Sequence, residues 1–372
     1  MRPTRALIHR RNLSANLSFL RATLGSGTAL CAAVKADAYG HSIDLIVPWL
    51  IEEGVEAFGI ATVDEGLRLR KSGVVQPLFL LGTLQTEELP QAVEADLDLF
   101  LWTPEAVEAA ASAARGRKKP LRVHLKVDTG MGRVGCSPED AEDLAEAIVH
   151  ALPLELTGVC THFASSDGPG PLTVPAQLDR FAGVLESLEA RGWTPRFIHC
   201  ANSGGITNWP GSHFNLVRPG IVLYGYPPPP EAGKGRYLPV MELISRVGYV
   251  KTVPAGSTLS YGSRYVTERT TDVATIPIGY ADGYRRSFTN LAPVWINDKL
   301  HRVSGTVCMD QFLVDLGPNS GVKAGNPVVI FGPPASDREV QPPTAADLAD
   351  LAGTISYEIL CGVSARVPRL GV

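Results

Sequence analysis

Ala57-Phe-Gly-Ile-Ala61, Pro77-Leu-Phe-Leu-Leu81 and Leu97-Asp-Leu-Phe-Leu101 are short, dominantly apolar runs of strand length. Helix-like stretches separate them. Runs of this kind mark parallel strands covered on both faces, because a strand with one wet face would alternate. Reading outward, the same texture recurs at Leu30–Val34, Leu121–Val127, Leu156–His162, Phe197–Cys200 and Leu216–Leu223, which makes eight candidate strands. The intervening segments carry helix signals. Asn12–Leu24 places Leu13, Leu17, Leu20 and Leu24 on one face. Thr103-Pro104-Glu105 and Ser137-Pro138-Glu139 each set a capping hydroxyl before a proline at the first helical position. Eight strand–helix units within about 225 residues fit a closed (β/α)8 TIM barrel. The rival is an open doubly wound sheet, but the glycine fingerprint expected after its first strand is absent.

Pro227-Pro-Pro-Pro230 and the following Glu-Ala-Gly-Lys-Gly read as a boundary or rigid linker. Beyond it, Met241–Val253, Thr271–Ile278, Pro293–Ile296, His301–Leu316 and Pro327–Phe331 look like strands, with one helix opening at Thr344. The expected organisation is a barrel over residues 1–230 and a mostly-β domain over 231–372. The chain has 372 residues, 45% hydrophobic and 19% charged, with a net charge of −4. That suits a globular protein and argues against nucleic acid as a partner. The longest apolar run, near Val74–Leu84, is too short to span a membrane, and the N-terminus has no secretion signal. The six cysteines form no paired motif, so free thiols in a cytoplasmic protein are expected.

Polar residues cluster where the barrel strands end. Lys35 closes strand one, Lys126 and Asp128 close strand five, and His162 closes strand six. Asn202-Ser203 follows strand seven, and Arg218 with Gly220 lies in strand eight. Barrel active sites form at that rim. Asn202-Ser203-Gly204-Gly205 and Arg218-Pro219-Gly220-Ile221 offer small residues and backbone N–H groups of the kind that hold phosphate. Lys35, beside apolar walls, would have a lowered pKa and could form a Schiff base. A lysine with a phosphate cradle suggests a sugar-phosphate aldolase or a pyridoxal-phosphate enzyme. His124, His162, His199, Cys160 and Cys200 lack zinc spacing, so no metal site is expected.

Ala33-Val-Lys35-Ala-Asp-Ala-Tyr39-Gly-His-Ser42 resembles the cofactor-attachment segment of alanine racemases. The resemblance continues through Leu125-Lys-Val-Asp-Thr-Gly-Met-Gly-Arg133, Thr161-His-Phe163, Ala201-Asn-Ser203 and Val217-Arg-Pro-Gly-Ile221. In the second domain it includes Leu259-Ser-Tyr261-Gly262, Gly279-Tyr-Ala-Asp-Gly283, Val307-Cys-Met-Asp-Gln311 and Gly353-Thr-Ile-Ser-Tyr357-Glu358. Ser42 stands where the family usually has glycine, and Gly362 where many relatives have arginine.

The resemblance implies a pyridoxal 5′-phosphate enzyme that interconverts L- and D-alanine and supplies D-alanine for peptidoglycan. It implies Lys35 as cofactor lysine and base for the D-enantiomer, and Tyr261 as base for the L-enantiomer. His162 and Arg218 would support Tyr261, with Arg218 facing the pyridine nitrogen. Tyr39, Asn202, Ser203, Gly220, Ile221 and Tyr357 would bind the cofactor, mostly at its phosphate. Arg133 and the Met309 backbone would reach the substrate carboxylate, and Tyr280, Asp310 and Tyr357 would narrow the entrance. Lys126 would be carbamylated, the alternative being an ion pair with Asp128. A head-to-tail homodimer would share its active sites. A serine or broad-specificity racemase is the nearest rival. A basic amino-acid decarboxylase would want a carboxylate in place of Arg218, and a cofactor carrier would have no use for Tyr261.

Overall fold

The computed structural model describes residues 2–168, 170, 172–229 and 235–372. The boundary read at 230/231 and most of the linker after Pro229 lie outside the described residues. Nineteen strands occur among them. After β1 (Arg5–Ile8), the barrel strands are β2 (Ala29–Ala33), β3 (Ala57–Ile60), β4 (Leu78–Leu80), β5 (Asp98–Leu101), β6 (Leu121–Lys126), β7 (Leu154–Cys160), β8 (Phe197–His199) and β9 (Leu216–Val217). They run parallel in sequence order from β2 to β8, and β9 pairs with β2. The β8–β9 seam is bridged just beyond the ladder, where Arg218 N donates to Ala201 O at 2.9 Å. The expected eight-stranded barrel is present, with one change: the last strand stops at Val217. Pro219 has no N–H for a ladder, and residues 220–225 instead form helical turns, with Leu223 N on Gly220 O.

Two cores result. Cys31, Ala57, Phe79 and Leu216, with Phe100 and Phe197, fill the barrel axis. Outside it, helices pack on the strands, as where Arg10–Thr23 buries Leu13, Leu17 and Leu20. Among the described residues no helix is long and apolar enough to cross a membrane.

The second domain holds β10 (Met241–Arg246), β11 (Tyr249–Val253), β12 (Thr258–Leu259), β13 (Tyr265–Val266), β14 (Thr271–Ile276), β15 (Pro293–Ile296), β16 (Lys299–Arg302), β17 (Phe312–Gly317), β18 (Pro327–Phe331) and β19 (Arg369–Gly371). One sheet has the order β16-β15-β18-β10-β1-β19, and a second has β11-β14-β17. The run expected as one strand over 301–316 is two, β16 and β17, with the Cys308–Gln311 segment looping between them. A short helix at Ser356–Gly362 adds to the expected one at Ala345–Leu351. The expectation of a barrel starting at residue 1 is corrected here. β1 sits inside the second domain's sheet, antiparallel to β10 and parallel to β19. Ala6 and Ile8 are fully buried there.

The turn after β2 is unusual. Ala36, Asp37, Ala38 and Tyr39 all lie in the left-handed region, with φ between 53° and 57°. Each such residue costs about 1–2 kcal/mol for an L-amino acid, so other contacts must hold the turn. Glu65 supplies two of them: its carboxylate accepts from Ala36 N and Ala61 N, both at 2.7 Å. The Asp37 carboxylate accepts from Ile43 N and from Arg68. Gly40 closes the turn so tightly that a Cβ would lie 2.4 Å from Leu360 O, which docks the Ser356–Gly362 helix against it.

Two outcomes follow from these anchors. Ile8→Ala should lower unfolding free energy by about 2–5 kcal/mol, read by urea denaturation; an unchanged midpoint would show that β1 does not anchor its sheet. Glu65→Ala should cost about 1–3 kcal/mol by stranding two amides. Glu65→Gln, which keeps an acceptor oxygen, should cost less, and equal stability of all three proteins would remove the clamp from the account.

Candidate active site

A cavity of about 300 Å³ opens at the C-terminal ends of the barrel strands. Its polar lining is Lys35, Thr83, Lys126, Arg133, His162 and Arg218, and its walls include Leu81, Phe100, Trp102 and Cys160. Strand order explains the convergence. Lys35 follows β2, Lys126 ends β6, His162 follows β7 and Arg218 follows β9, so four separate strand ends aim at one space. No aspartate or glutamate lines it among the described residues.

Burial and mutual repulsion set the charges. Burial, reinforced by Arg133, holds the Lys35 amine below the usual lysine pKa, with Glu65 opposing. Lys126 is lowered by burial and by Arg218 and Arg133, while Cys160 and Asp128 oppose. Burial and then Arg218 push His162 well below its ordinary value, so its imidazole is neutral. The Lys126–Asp128 ion pair weighed above is not formed. Lys126 Nζ donates to Val127 O at 3.2 Å, whereas the Asp128 carboxylate accepts from Gly130 N and Gly132 N. Arg218 is held from several sides. One terminal nitrogen donates to Thr161 O at 2.8 Å, to Cys200 O at 3.2 Å and to His162 Nδ1 at 3.2 Å; the other donates to His199 Nδ1.

Beside the cavity lies a cluster of small donors. Ser203 Oγ accepts from Gly220 N at 3.0 Å and from Val222 N at 3.3 Å. A Cβ on Gly220 would lie 2.5 Å from the Tyr39 hydroxyl, so glycine is what lets that hydroxyl approach the backbone. Tyr39 stacks on Tyr224 at 4.9 Å and lies 5.9 Å from the ring of Tyr357. Burial raises both phenols, so Tyr39 and Tyr357 keep their protons and can donate. Ile221 continues the same turn. Hydroxyl and amide donors here, with an amine and a guanidinium in the adjoining cavity, match a planar group that carries a phosphate. Asn202, expected among the cofactor ligands, has a structural duty: its side chain accepts from Gly205 N and caps the helix at Ser203–Asn208.

The remaining predicted residues stand elsewhere. Tyr261, between β12 and β13, is 74% exposed, and Tyr280 and Met309 are also exposed. None of them, nor Asp310, lines the cavity. They share one region of the second domain: Tyr280 N donates to Cys308 O, Ala281 N to Met309 O, and Thr306 Oγ1 to Tyr261 O. Asp310 accepts from Arg366 at 2.8 Å. Sequence reasoning missed Glu65 behind Lys35 and the aromatic wall of Phe100 and Trp102. Glu65 two residues after Val63, at a helix start, is an ordinary capping-type signal and carries no mark of a partner 29 residues away.

Comparison with known proteins agrees with this geometry. Residues 8–228 match the model of the alanine racemase N-terminal domain, and residues 240–371 that of the C-terminal domain. The chain is 39% identical to the alanine racemase of Treponema denticola over 374 residues, covering 100% of this chain and 98% of that one. The crystal structure of alanine racemase from D-cycloserine-producing Streptomyces lavendulae superposes with a TM-score of 0.93 at 38% identity, over 100% of this chain and 97% of that one. Alanine racemase from Bacillus anthracis with bound L-Ala-P superposes with a TM-score of 0.91 at 31% identity, over 100% and 95% of the two chains. On its sequence, its two domains and its three-dimensional structure, this chain belongs to the alanine racemase family.

Proposed function

We propose that this protein interconverts L- and D-alanine with pyridoxal 5′-phosphate, as a homodimer whose two active sites each draw on both subunits. The observation that carries this reading is the division of the reactive groups. Lys35, His162 and Arg218 share one barrel cavity, while Tyr261 stands exposed on the second domain of the same chain.

Pyridoxal phosphate, bound through its aldehyde, supplies the electron sink that makes the α-proton of an amino acid removable. Lys35 fits the attachment role because its amine is partly desolvated and repelled by neighbouring cations, which favours the uncharged nucleophile. Tyr39, Ser203, Gly220, Ile221 and Tyr357 would hold the phosphate through hydroxyls and backbone amides, with Asn202 bracing Ser203. Arg218 is always protonated, so toward a ring nitrogen it can only donate; it would leave that nitrogen without a proton and weaken the sink. A weaker sink would disfavour transamination as a side reaction.

Racemisation then needs one base on each face of the substrate. The Lys35 amine serves the D-enantiomer. The phenol of Tyr261, from the partner, serves the L-enantiomer and would adjoin neutral His162, which Arg218 already contacts. Arg133 and the Met309 backbone would fix the substrate carboxylate. Tyr280 and Asp310 of the partner, with Tyr357, would narrow the mouth to a side chain as small as a methyl group. Supply of D-alanine to the cell wall from a cytoplasmic enzyme is the corresponding biological role. We further propose that Lys126 is carbamylated, because an anion there would offset Arg133 and Arg218 in a cavity without a carboxylate.

Mixing two inactive variants tests the shared sites. Lys35→Ala and Tyr261→Phe should each be inactive as homodimers. Unfolded and refolded together, they should regain about one quarter of wild-type activity, since half of the dimers are mixed and each mixed dimer has one intact site of two. No recovery would place both bases in one chain. For Lys126, protein equilibrated with 13C-bicarbonate should show a carbamate carbon resonance that disappears in Lys126→Ala; a spectrum without it would leave the lysine unmodified.

A further inference from the structure

Arg218 is anchored on its inner side by an imidazole, and that imidazole leads to a second one and then to a buried carboxylate. His199 Nε2 lies 2.9 Å from His124 Nδ1, and His124 Nε2 lies 3.7 Å from Asp98 Oδ2. Asp98, His124 and His199 are all fully buried, inside the barrel beneath the cavity. The other Asp98 oxygen accepts from Arg122. Among the described residues, Asp98 Oδ2 and His124 Nε2 have no hydrogen-bond partner, and they face each other.

The direction of this chain can be deduced. A guanidinium only donates, so His199 Nδ1 must accept, and the His199 proton sits on Nε2. Nε2–H then donates to His124 Nδ1, which places the His124 proton on Nε2, toward Asp98. One tautomer pattern fits both hydrogen bonds and aims the last N–H at the Asp98 carboxylate, 3.7 Å away and beyond hydrogen-bond length. Burial first, and Arg218 among the further causes, lowers both histidines, which keeps each ring neutral as the pattern requires.

The barrel is shaped for the arrangement. The β6–β7 register shifts between Val123 and His124, so the ladder is irregular at the histidine. Opposite it stands Gly158, where a Cβ would lie 2.1 Å from His124 Nδ1; any other residue would block the imidazole from crossing β7 toward β8. Phe100 stacks on His124 at 4.9 Å with the rings 9° apart, which fixes its plane.

We propose that Asp98, His124 and His199 form a positioning relay for Arg218, in which locked tautomers give the guanidinium a neutral acceptor behind it. The two terminal nitrogens of Arg218 are engaged by His199, Thr161 O, Cys200 O and His162 Nδ1, and among the described residues no carboxylate pairs with its charge. This rests on the reading of Arg218 as the partner of the cofactor's ring nitrogen. His199 and His124 touch no substrate; they act through Arg218.

The test uses apo-enzyme titrated with pyridoxal phosphate and with its deaza analogue, which lacks the ring nitrogen. In wild type the two affinities differ by the value of the Arg218 contact. His124→Phe keeps the aromatic packing and cuts the relay. It should shrink that difference about tenfold, the order lost when a residue that orients a direct ligand is removed. It should also raise the fraction of turnovers that end in transamination. His124→Asn, with an amide oxygen near the place of Nδ1, should recover most of both. Discrimination and partition unchanged in His124→Phe would overturn the relay and leave a packing role. Arg218→Lys is the reference: if it too leaves discrimination unchanged, the reading of Arg218 itself fails, and the relay with it. A measurement independent of any variant is 15N NMR of histidine-labelled holoenzyme. Both rings should be Nε2–H tautomers at neutral pH, and an Nδ1–H or doubly protonated ring at either position would overturn the proposal.

Discussion

Several cationic side chains share one small barrel mouth, and among the described residues no carboxylate lines it. That imbalance is the constraint from which the rest of the site follows. Positive charges in a poorly solvated space repel each other and lose hydration, so each favours the neutral form of its neighbours. The lysine amine is pulled toward its uncharged form and the histidine loses its proton, while the guanidinium, which cannot lose one, remains charged. The same imbalance leaves the cavity suited to anionic groups, which would offset positive charge that the protein itself leaves uncompensated.

Holding that arrangement requires stiffness around it. The left-handed turn from Ala36 to Tyr39 points Lys35 into the cavity while sending the Tyr39 hydroxyl to Gly220. A right-handed turn over the same residues would project the two side chains differently. Its conformational cost is met by Glu65 and Asp37 on one side and by the close approach of Gly40 to Leu360 on the other. The second domain thus contacts its own barrel behind Lys35, while Tyr261 stands exposed on its surface.

The barrel was legible because seven of its strands are continuous parallel pairs with both faces covered, which writes itself into the chain as apolar runs. Strand-end placement likewise brought Lys35, Lys126, His162 and Arg218 together before any coordinates. Tyr261, Tyr280 and Met309 had no such signal, since exposed residues in tight turns of a β domain look like ordinary surface, and only the family motifs singled them out. β1 escaped notice because four residues with partners more than two hundred positions away leave no local pattern. The Asp98–His124–His199 alignment was equally hidden. It depends on a register shift and on a glycine in the neighbouring strand, and neither is visible without knowing which strands are neighbours. Asn202 shows the converse: its motif was recognisable, but its side chain serves as a helix cap.

The position of β1 carries a consequence for how the molecule is made. These residues leave the ribosome long before either neighbour, since β10 begins at Met241 and β19 at Arg369. At ordinary elongation rates of about 5–20 residues per second, an apolar tetrapeptide must stay solvated for tens of seconds before its slot exists. The barrel can assemble during that interval, but the six-stranded sheet cannot be finished until Gly371 has emerged. Synthesis therefore imposes an order on assembly, in which the sheet that takes in β1 is completed after the barrel strands.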